Sequence, residues 1–280
     1  MSGKLIVVGT PIGNLSDFSP RAQEALAQAD FIAAEDTRVT MKLLSRFGIH
    51  KPMVSYYEHN KHGRGPVICD RVEAGETCVL VSDAGMPAIS DPGELLVAQC
   101  AERGIPVTVV PGPCAAVSAL AVSGLPTGRF TFEGFLSVNK KSRRDHLEEV
   151  KNERRTMIFY EAPHKLAGTL SDMLEAWGDR RIVLVRELTK IHEEILRTTL
   201  SEAAVRYADG GAKGEFVLVV EGAPEAAEPV SAEKDAVAEA RALMREGLSA
   251  SEAAKRAAAE TGRRKSEIYR ELTREDTSSD

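Results

Sequence analysis

CVLVSDAGMPAISDPGELLVAQCAERGIPVTVVPG (78–112) decides the fold class. The apolar run CVLVSD (78–83) reads as a buried strand. GELLVAQCAERG has helical spacing and stops on a glycine, and VTVVPG (107–112) reads as the next strand. The same alternation lies upstream. KLIVV (4–8) is a strand, and SPRAQEALAQAD follows as a helix with Ser19 placed to cap it and Pro20 in its first turn. FIAAED comes next, then a helix around RVTMKLLSRFG that Gly48 can end. Strands alternating with helices imply a parallel or mostly parallel sheet covered on both faces.

Near residues 123–130 the pattern changes, as SGLPTGRFTFEGFLSVNKKSRRD passes through turn residues, aromatics and then basic residues. A second α/β unit follows with TMIFYEAP (156–163), the helical HKLAGTLSDMLEAWG, RIVLVRELT (181–189), a helix from Ser201, and EFVLVVEG (215–222). APEAAEPVSAEK reads as a linker. In the tail, Ser249 and Glu252 form a capping box before an alanine-rich helix. Gly262 suits a turn, and Ser266 can start another helix. That pattern is read either as a helix-turn-helix or as a helical hairpin packed on the body. The expected domains are 1–125, 126–224 and 231–280, with the terminal REDTSSD disordered.

At 280 residues, 43% hydrophobic and 28% charged, the chain has the composition of a soluble globular protein. The apolar run near the N-terminus is too short for a signal or a membrane span, so a cytoplasmic protein without a membrane partner is expected. Cys69, Cys78, Cys100 and Cys114 have neither disulfide-frame nor zinc-type spacing, and most of them read as small buried hydrophobes. A net charge of −6 argues against coating nucleic acid by bulk attraction. A local strip, NKKSRRDHLEEVKNERR (139–155), is basic all the same. It reads either as a solvated helix face or as a phosphate-contacting surface.

Several strands end alike, in small-residue loops that carry proline: VVGTPIGNL (7–15), LVSDAGMP (80–87), VVPGPCAA (109–116) and FYEAPH (159–164). In open α/β sheets ligands sit beyond the carboxyl ends of the strands, and glycine lets backbone approach them. The dinucleotide fingerprint and the P-loop lysine are both absent, and the loops hold almost no Lys or Arg. This suits a neutral or zwitterionic ligand. Asp36, Asp83 and Asp91 offer Mg²⁺ as the lesser alternative, since the cationic partners of a phosphate substrate are missing. No metal is expected.

GTPIGNL, EDTR (35–38), SDAGMPAISDPG, VVPGPCA, FEGFL (132–136), FYEAPH and RELTKIHEE (186–194) occur in this order over roughly residues 4–222. Together they resemble the tetrapyrrole-methylase superfamily of S-adenosylmethionine-dependent methyltransferases. The likeness is to the bacterial branch that methylates a cytidine ribose 2′-oxygen of 16S ribosomal RNA. Cys114 stands where serine is also common in that motif. The resemblance implies two α/β domains with the cofactor in the cleft between them, a small helical C-terminal domain, and a homodimer. By position it implies cofactor contacts from Pro11, Ile12, Asp83, Gly85, Met86, Ile89, Gly112, Cys114, Ala115, Phe135, Leu136, Tyr160 and Ala162. Asp83 reads equally as a cap of its own turn.

Transfer to a 2′-hydroxyl benefits from a general base. The candidates near the loops are Asp36, Glu35, Glu161, His164 and Glu187, although Glu35 and Glu187 also suit ion pairs with Arg38 and Arg186. Contacts to 16S ribosomal RNA or the small ribosomal subunit are expected from Arg38, Lys140, Lys141, Arg143, Arg144, Arg263, Arg264 and Lys265. Two alternatives stand beside this reading. One is a tetrapyrrole or other small-molecule methyltransferase; the other is a metabolite-sensing regulator that binds nucleic acid through its tail.

Overall fold

The computed structural model describes residues 3–224 and 236–275. Two compact units are present, residues 1–223 and 224–280. The first unit opens with five strands: β1 (Lys4–Val8), β2 (Phe31–Ala34), β3 (Met53–Ser55), β4 (Thr77–Val81) and β5 (Val107–Val110). They form an all-parallel sheet in the order β3-β2-β4-β1-β5. The crossovers are α1 (Pro20–Gln28), α2 (Thr37–Arg46), α3 (Lys61–Glu73) and α4 (Gly93–Glu102).

Successive strand residues point to opposite faces, and both faces are apolar. Leu5, Val7, Phe31, Cys78 and Leu80 pack on Ile68 and Cys69 of α3 and on Leu96 and Cys100 of α4. Ile6, Val8, Ile32, Val79 and Val81 pack on Ala22 and Leu26 of α1 and on Leu44 of α2. Ser19 caps α1 as expected, accepting the Ala22 N–H at 3.1 Å, with Pro20 at the first helical position.

The next helix, α5 (Ala115–Ser123), belongs by packing to the second sheet. Ala116, Ala119 and Leu120 lie against Ile158, Val183, Val185, Val217 and Val219. The change of core therefore falls between Val110 and Ala115, ahead of the turn-rich stretch where the sequence suggested it.

The second sheet contains β6 (Phe130–Phe135), β7 (Thr156–Glu161), β8 (Arg181–Arg186), β9 (Glu194–Thr199) and β10 (Phe216–Val220), in the order β6-β7-β10-β8-β9. Its helices are α6 (Lys140–Glu149), α7 (Leu166–Trp177) and α8 (Leu200–Arg206). Only β6 and β7 pair in parallel; the other three pairings are antiparallel. The parallel pattern thus stops at the first sheet. β8 and β9 are joined without a helix, so they form a hairpin. Both β7 and β8 run antiparallel to β10, so the carboxyl ends of β6, β7 and β8 share one edge.

The second unit consists of α9 (Ala236–Arg245), α10 (Ala250–Thr261) and α11 (Lys265–Glu275) around Val237, Ala240, Ala253, Ala254, Ala257, Ile268 and Leu272. Ser249 caps α10 as expected, accepting the Glu252 N–H at 3.3 Å, while its own hydroxyl donates to the Glu252 carboxylate at 2.9 Å. Gly262 ends α10 in the left-handed region at φ 74°. Most of the expected linker and residues 276–280 of the expected disordered end lie outside the described residues. No helix among the described residues is long and apolar enough to cross a membrane.

Candidate functional site

The loops after β1 and β4 are stapled together by a pair of backbone hydrogen bonds. Thr10 N–H donates to the Gly85 carbonyl at 2.9 Å, and Gly85 N–H returns to the Thr10 carbonyl at 3.2 Å. Gly85 turns here at φ +87°. A Cβ on Gly112 would lie 2.8 Å from the Gly9 Cα. Gly112 therefore lets one loop lie on another, where the sequence suggested a ligand contact.

A cleft of about 540 Å³ opens at these strand ends, within the usual range for a small-molecule site. It is lined by ten of the expected ligand contacts: Ile12, Asp83, Gly85, Met86, Ile89, Cys114, Ala115, Phe135, Tyr160 and Ala162. Glu35, Glu161 and His164 also line it. Pro11, Gly112, Leu136 and Asp36 do not; Leu136, 2% exposed, is part of the second-sheet core. Sequence reasoning did not place Leu188, Lys190, Glu215 or Val217 in the wall. Their signal is topological: the end of β8 and the start of β10 meet the cleft only once the antiparallel pairing is known.

One wall is acidic. Glu35 accepts the Asp83 N–H at 3.2 Å, and Asp83 accepts the Asp36 N–H at 3.0 Å, so the ends of β2 and β4 are clasped. Burial pushes both carboxyls above their ordinary values, and their neighbouring carboxylates add to the effect. Asp91 is pushed up to about 6, first by burial and then by Glu35 and Asp83, against a hydrogen bond from Ser82. Among the described residues no group of three His, Cys, Asp or Glu side chains is arranged to hold a metal ion.

Three of the expected bases are held by other partners in the fold. Asp36 caps α2 through the Arg38 N–H at 2.8 Å, and the Arg38 guanidinium grips it at 3.1 and 2.6 Å, which holds its carboxyl down at about 2. Glu161, 2% exposed, accepts from Lys165 at 3.0 Å, from the Ala162 N–H at 2.8 Å and from Thr169 at 2.5 Å. Glu187 likewise closes its own loop, binding Lys190 at 2.9 Å and the Glu215 N–H at 3.0 Å. Arg186 pairs with Glu194, not with Glu187.

The other wall is apolar. Phe135 is 56% exposed and meets Tyr160 edge-on at 5.4 Å. The Tyr160 hydroxyl accepts the Ala116 N–H at 3.1 Å, tying β7 to the start of α5, and burial pushes its phenol up to about 12. Among the described residues the non-glycine positions with positive φ are Ala88, Ser90, Glu187 and Thr189, all in the two loops that flank the cleft. Backbone strain of this kind concentrates at functional sites.

The basic residues divide into two groups. Arg143 binds Asp172 at 2.8 and 2.6 Å, and Arg144 binds Asp172 at 3.1 Å as well as Glu175. Asp172 is buried, so these arginines pin α6 to α7 and are not free for RNA as expected. Lys140 and Lys141 are exposed at the start of α6 and make no ion pair among the described residues. Arg38 is exposed but paired with Asp36. In the tail Arg263 pairs with Glu271, Lys265 bonds Ser251 at 3.1 Å, and Arg264 is exposed.

Three likenesses bear on this geometry. A protein of Synechocystis sp. named ribosomal RNA small subunit methyltransferase I is 47% identical over 268 residues, 95% of this chain and 96% of that one. A protein of the same name from Thermotoga maritima is 48% identical over 220 residues, 79% of this chain and 99% of its own length. The crystal structure of a uroporphyrin-III C-methyltransferase from Thermus thermophilus shares the fold, with a TM-score of 0.56 at 18% identity over 78% of this chain and 94% of that one. Residues 4–204, which hold both sheets' strands up to β9 and nearly all of the cleft wall, match the tetrapyrrole (corrin/porphyrin) methylases as a family. With that match and relatives of this identity over its length, the chain belongs to the tetrapyrrole methylase family.

Proposed function

We propose that the chain is an S-adenosylmethionine-dependent methyltransferase acting on the ribose 2′-hydroxyl of a cytidine in 16S ribosomal RNA. The observation that carries this reading is the 47% identity, over 95% of the chain, to a relative named for methylating small-subunit ribosomal RNA. The cleft fits the cofactor. Glu35, Asp83 and Asp91 form an anionic wall suited to an ammonium and a sulfonium, and Phe135 and Ile89 present apolar surface for an adenine. When bound, the cofactor supplies an electrophilic methyl group.

The chain's own part is to hold the ribose oxygen in line with that carbon and to exclude water, which supplies much of the acceleration. The proton on the 2′-oxygen needs an acceptor. Among the lining groups, Asp91 and His164 are held by no ion pair and no backbone clasp among the described residues. A homodimer in the cytoplasm completes the reading. The exposed Val107 and Val109 of β5, Val117 and Val122 of α5, and Phe130 of β6 offer apolar surface to a second copy.

The 2′-oxygen assignment is tested by labelling small ribosomal subunits with radioactive methyl and hydrolysing the RNA in alkali. Methylation at the 2′-oxygen blocks cleavage of the adjacent phosphodiester, so the label is expected in an alkali-resistant dinucleotide. Label in mononucleotides would place the methyl on a base and overturn the assignment.

A further inference from the structure

Ile191 is 97% exposed at the tip of the β8–β9 connection, with His192 exposed beside it. An isoleucine in water is ordinary on a mobile loop, but this loop is tightly held. Glu187 N–H donates to the Glu215 carbonyl at 3.0 Å, and Lys190 N–H donates to the Glu187 carbonyl at 2.9 Å. The Glu193 carboxylate accepts the Thr189 N–H at 2.6 Å. Lys190 bridges Glu187 and Glu215 at 2.9 and 2.8 Å. Its stem also lies against the β1 loop, since a Cβ on Gly13 would come within 2.5 Å of the Lys190 Cγ. Glu187 and Thr189 keep positive φ in this clasp. Strained backbone and ion pairs together hold an apolar side chain out in solvent.

The position of the loop gives that arrangement a meaning. Leu188 and Lys190, at its base, line the cleft. Its tip rises from the edge where β6, β7 and β8 all end. The β6 end carries Val138, 80% exposed, followed by Lys140 and Lys141, which have no ion-pair partner among the described residues. The edge therefore presents apolar tips and cations together beside the cleft mouth, a combination that suits nucleic acid with its stacked bases and phosphates.

We propose that Ile191 and His192 form a wedge that contacts nucleobases of the substrate RNA and fills the stack beside the nucleotide drawn into the cleft. This rests on the methyl-transfer reading above. A nucleotide whose sugar must enter a cleft leaves its stack, and apolar side chains and imidazoles replace the missing stacking. The two residues are positioning groups, remote from the reacting atoms.

The test compares the full-length wild type with a double variant, Ile191→Ser with His192→Ala, which leaves every clasp residue in place. Val205→Ser, at an exposed valine on α8, is the control. Methylation of isolated small ribosomal subunits, cofactor binding by calorimetry and mass by light scattering are read together. The double variant is expected to bind cofactor as wild type, keep its mass, and lose roughly ten- to a hundred-fold in kcat/KM, the worth of one stacked base. The control is expected to match wild type. A double variant with wild-type kcat/KM overturns the wedge, as does a loss of mass that accompanies the loss of activity, which would make the tip a contact between copies. A wild type that methylates no subunit overturns the underlying reading and the wedge with it.

Discussion

Asp83 reaches from the end of β4 to the end of β2, where its Oδ1 accepts the backbone N–H of Asp36 at 3.0 Å. The sequence left this carboxylate open between ligand contact and a cap of its own turn. In the structure it braces a neighbouring strand end and still borders the cleft.

The two roles separate by mutation. Asp83→Asn keeps an oxygen for the Asp36 N–H, so its unfolding free energy should match wild type. Asp83→Ala loses that bond and about 0.5–1.5 kcal/mol in denaturant unfolding. Both variants remove negative charge from the wall, so both should bind S-adenosylmethionine about tenfold more weakly by calorimetry. Wild-type affinity in Asp83→Asn would show that the charge of Asp83 does not serve the ligand.

Phe135 offers the reverse separation. More than half of its surface is exposed, so Phe135→Ala gives up little core packing, and its unfolding midpoint should stay at the wild-type value. Its ring is a cleft wall, so cofactor affinity should fall by roughly tenfold. Unchanged affinity would remove Phe135 from the cofactor wall.

Asp91 makes binding depend on pH. Its carboxyl is raised from 3.8 to about 6 by burial and by Glu35 and Asp83. Between those values the folded protein holds a proton that the unfolded chain has released. This group therefore favours the ligand-free fold at low pH, and that contribution is lost as pH rises through about 6. The ionised carboxylate attracts the cationic cofactor, so affinity should rise over the same window and then level off. Calorimetry across the window should show the rise in wild type and its loss in Asp91→Asn. A flat profile in wild type would contradict the electrostatic account.

Much of this was legible in the sequence because it is local. The β-branched runs gave β1, β4, β5, β7 and β10, and Ser19-Pro20 gave the start of α1. The small-residue loops likewise pointed to most of the cleft wall. What was not legible depends on distant partners. β9, EILRTT, has too many polar residues to read as a strand, and it exists because β8 pairs with it along six residues. The engagement of Asp36 by Arg38, of Glu161 by Lys165 and Thr169, and of Arg143 by Asp172 follows from side-chain geometry that spacing does not determine. A glycine that admits a ligand and one that admits another loop, as Gly112 does against Gly9, look alike in sequence.

Every residue of the cleft lies within the first unit, and the Thermotoga maritima relative is matched over 99% of its length by only 220 residues. A chain ending at Ala223 should bind S-adenosylmethionine as the full chain does. If Arg264 and its neighbours touch phosphate, binding of small-subunit RNA should become less steeply dependent on salt. The log–log slope should then fall by about 0.7–0.9 for each phosphate the tail no longer neutralises. Equal affinity and equal slope for the two chains would exclude the tail from RNA binding.

The identity of the methyl acceptor is decided by one comparison. Labelled S-adenosylmethionine is incubated with the full-length protein and, separately, with isolated small ribosomal subunits, free 16S ribosomal RNA and a tetrapyrrole. Transfer to ribosomal RNA, free or in the subunit, is expected, and none to the tetrapyrrole. Transfer to the tetrapyrrole alone, or to none of the three, would contradict the proposed function.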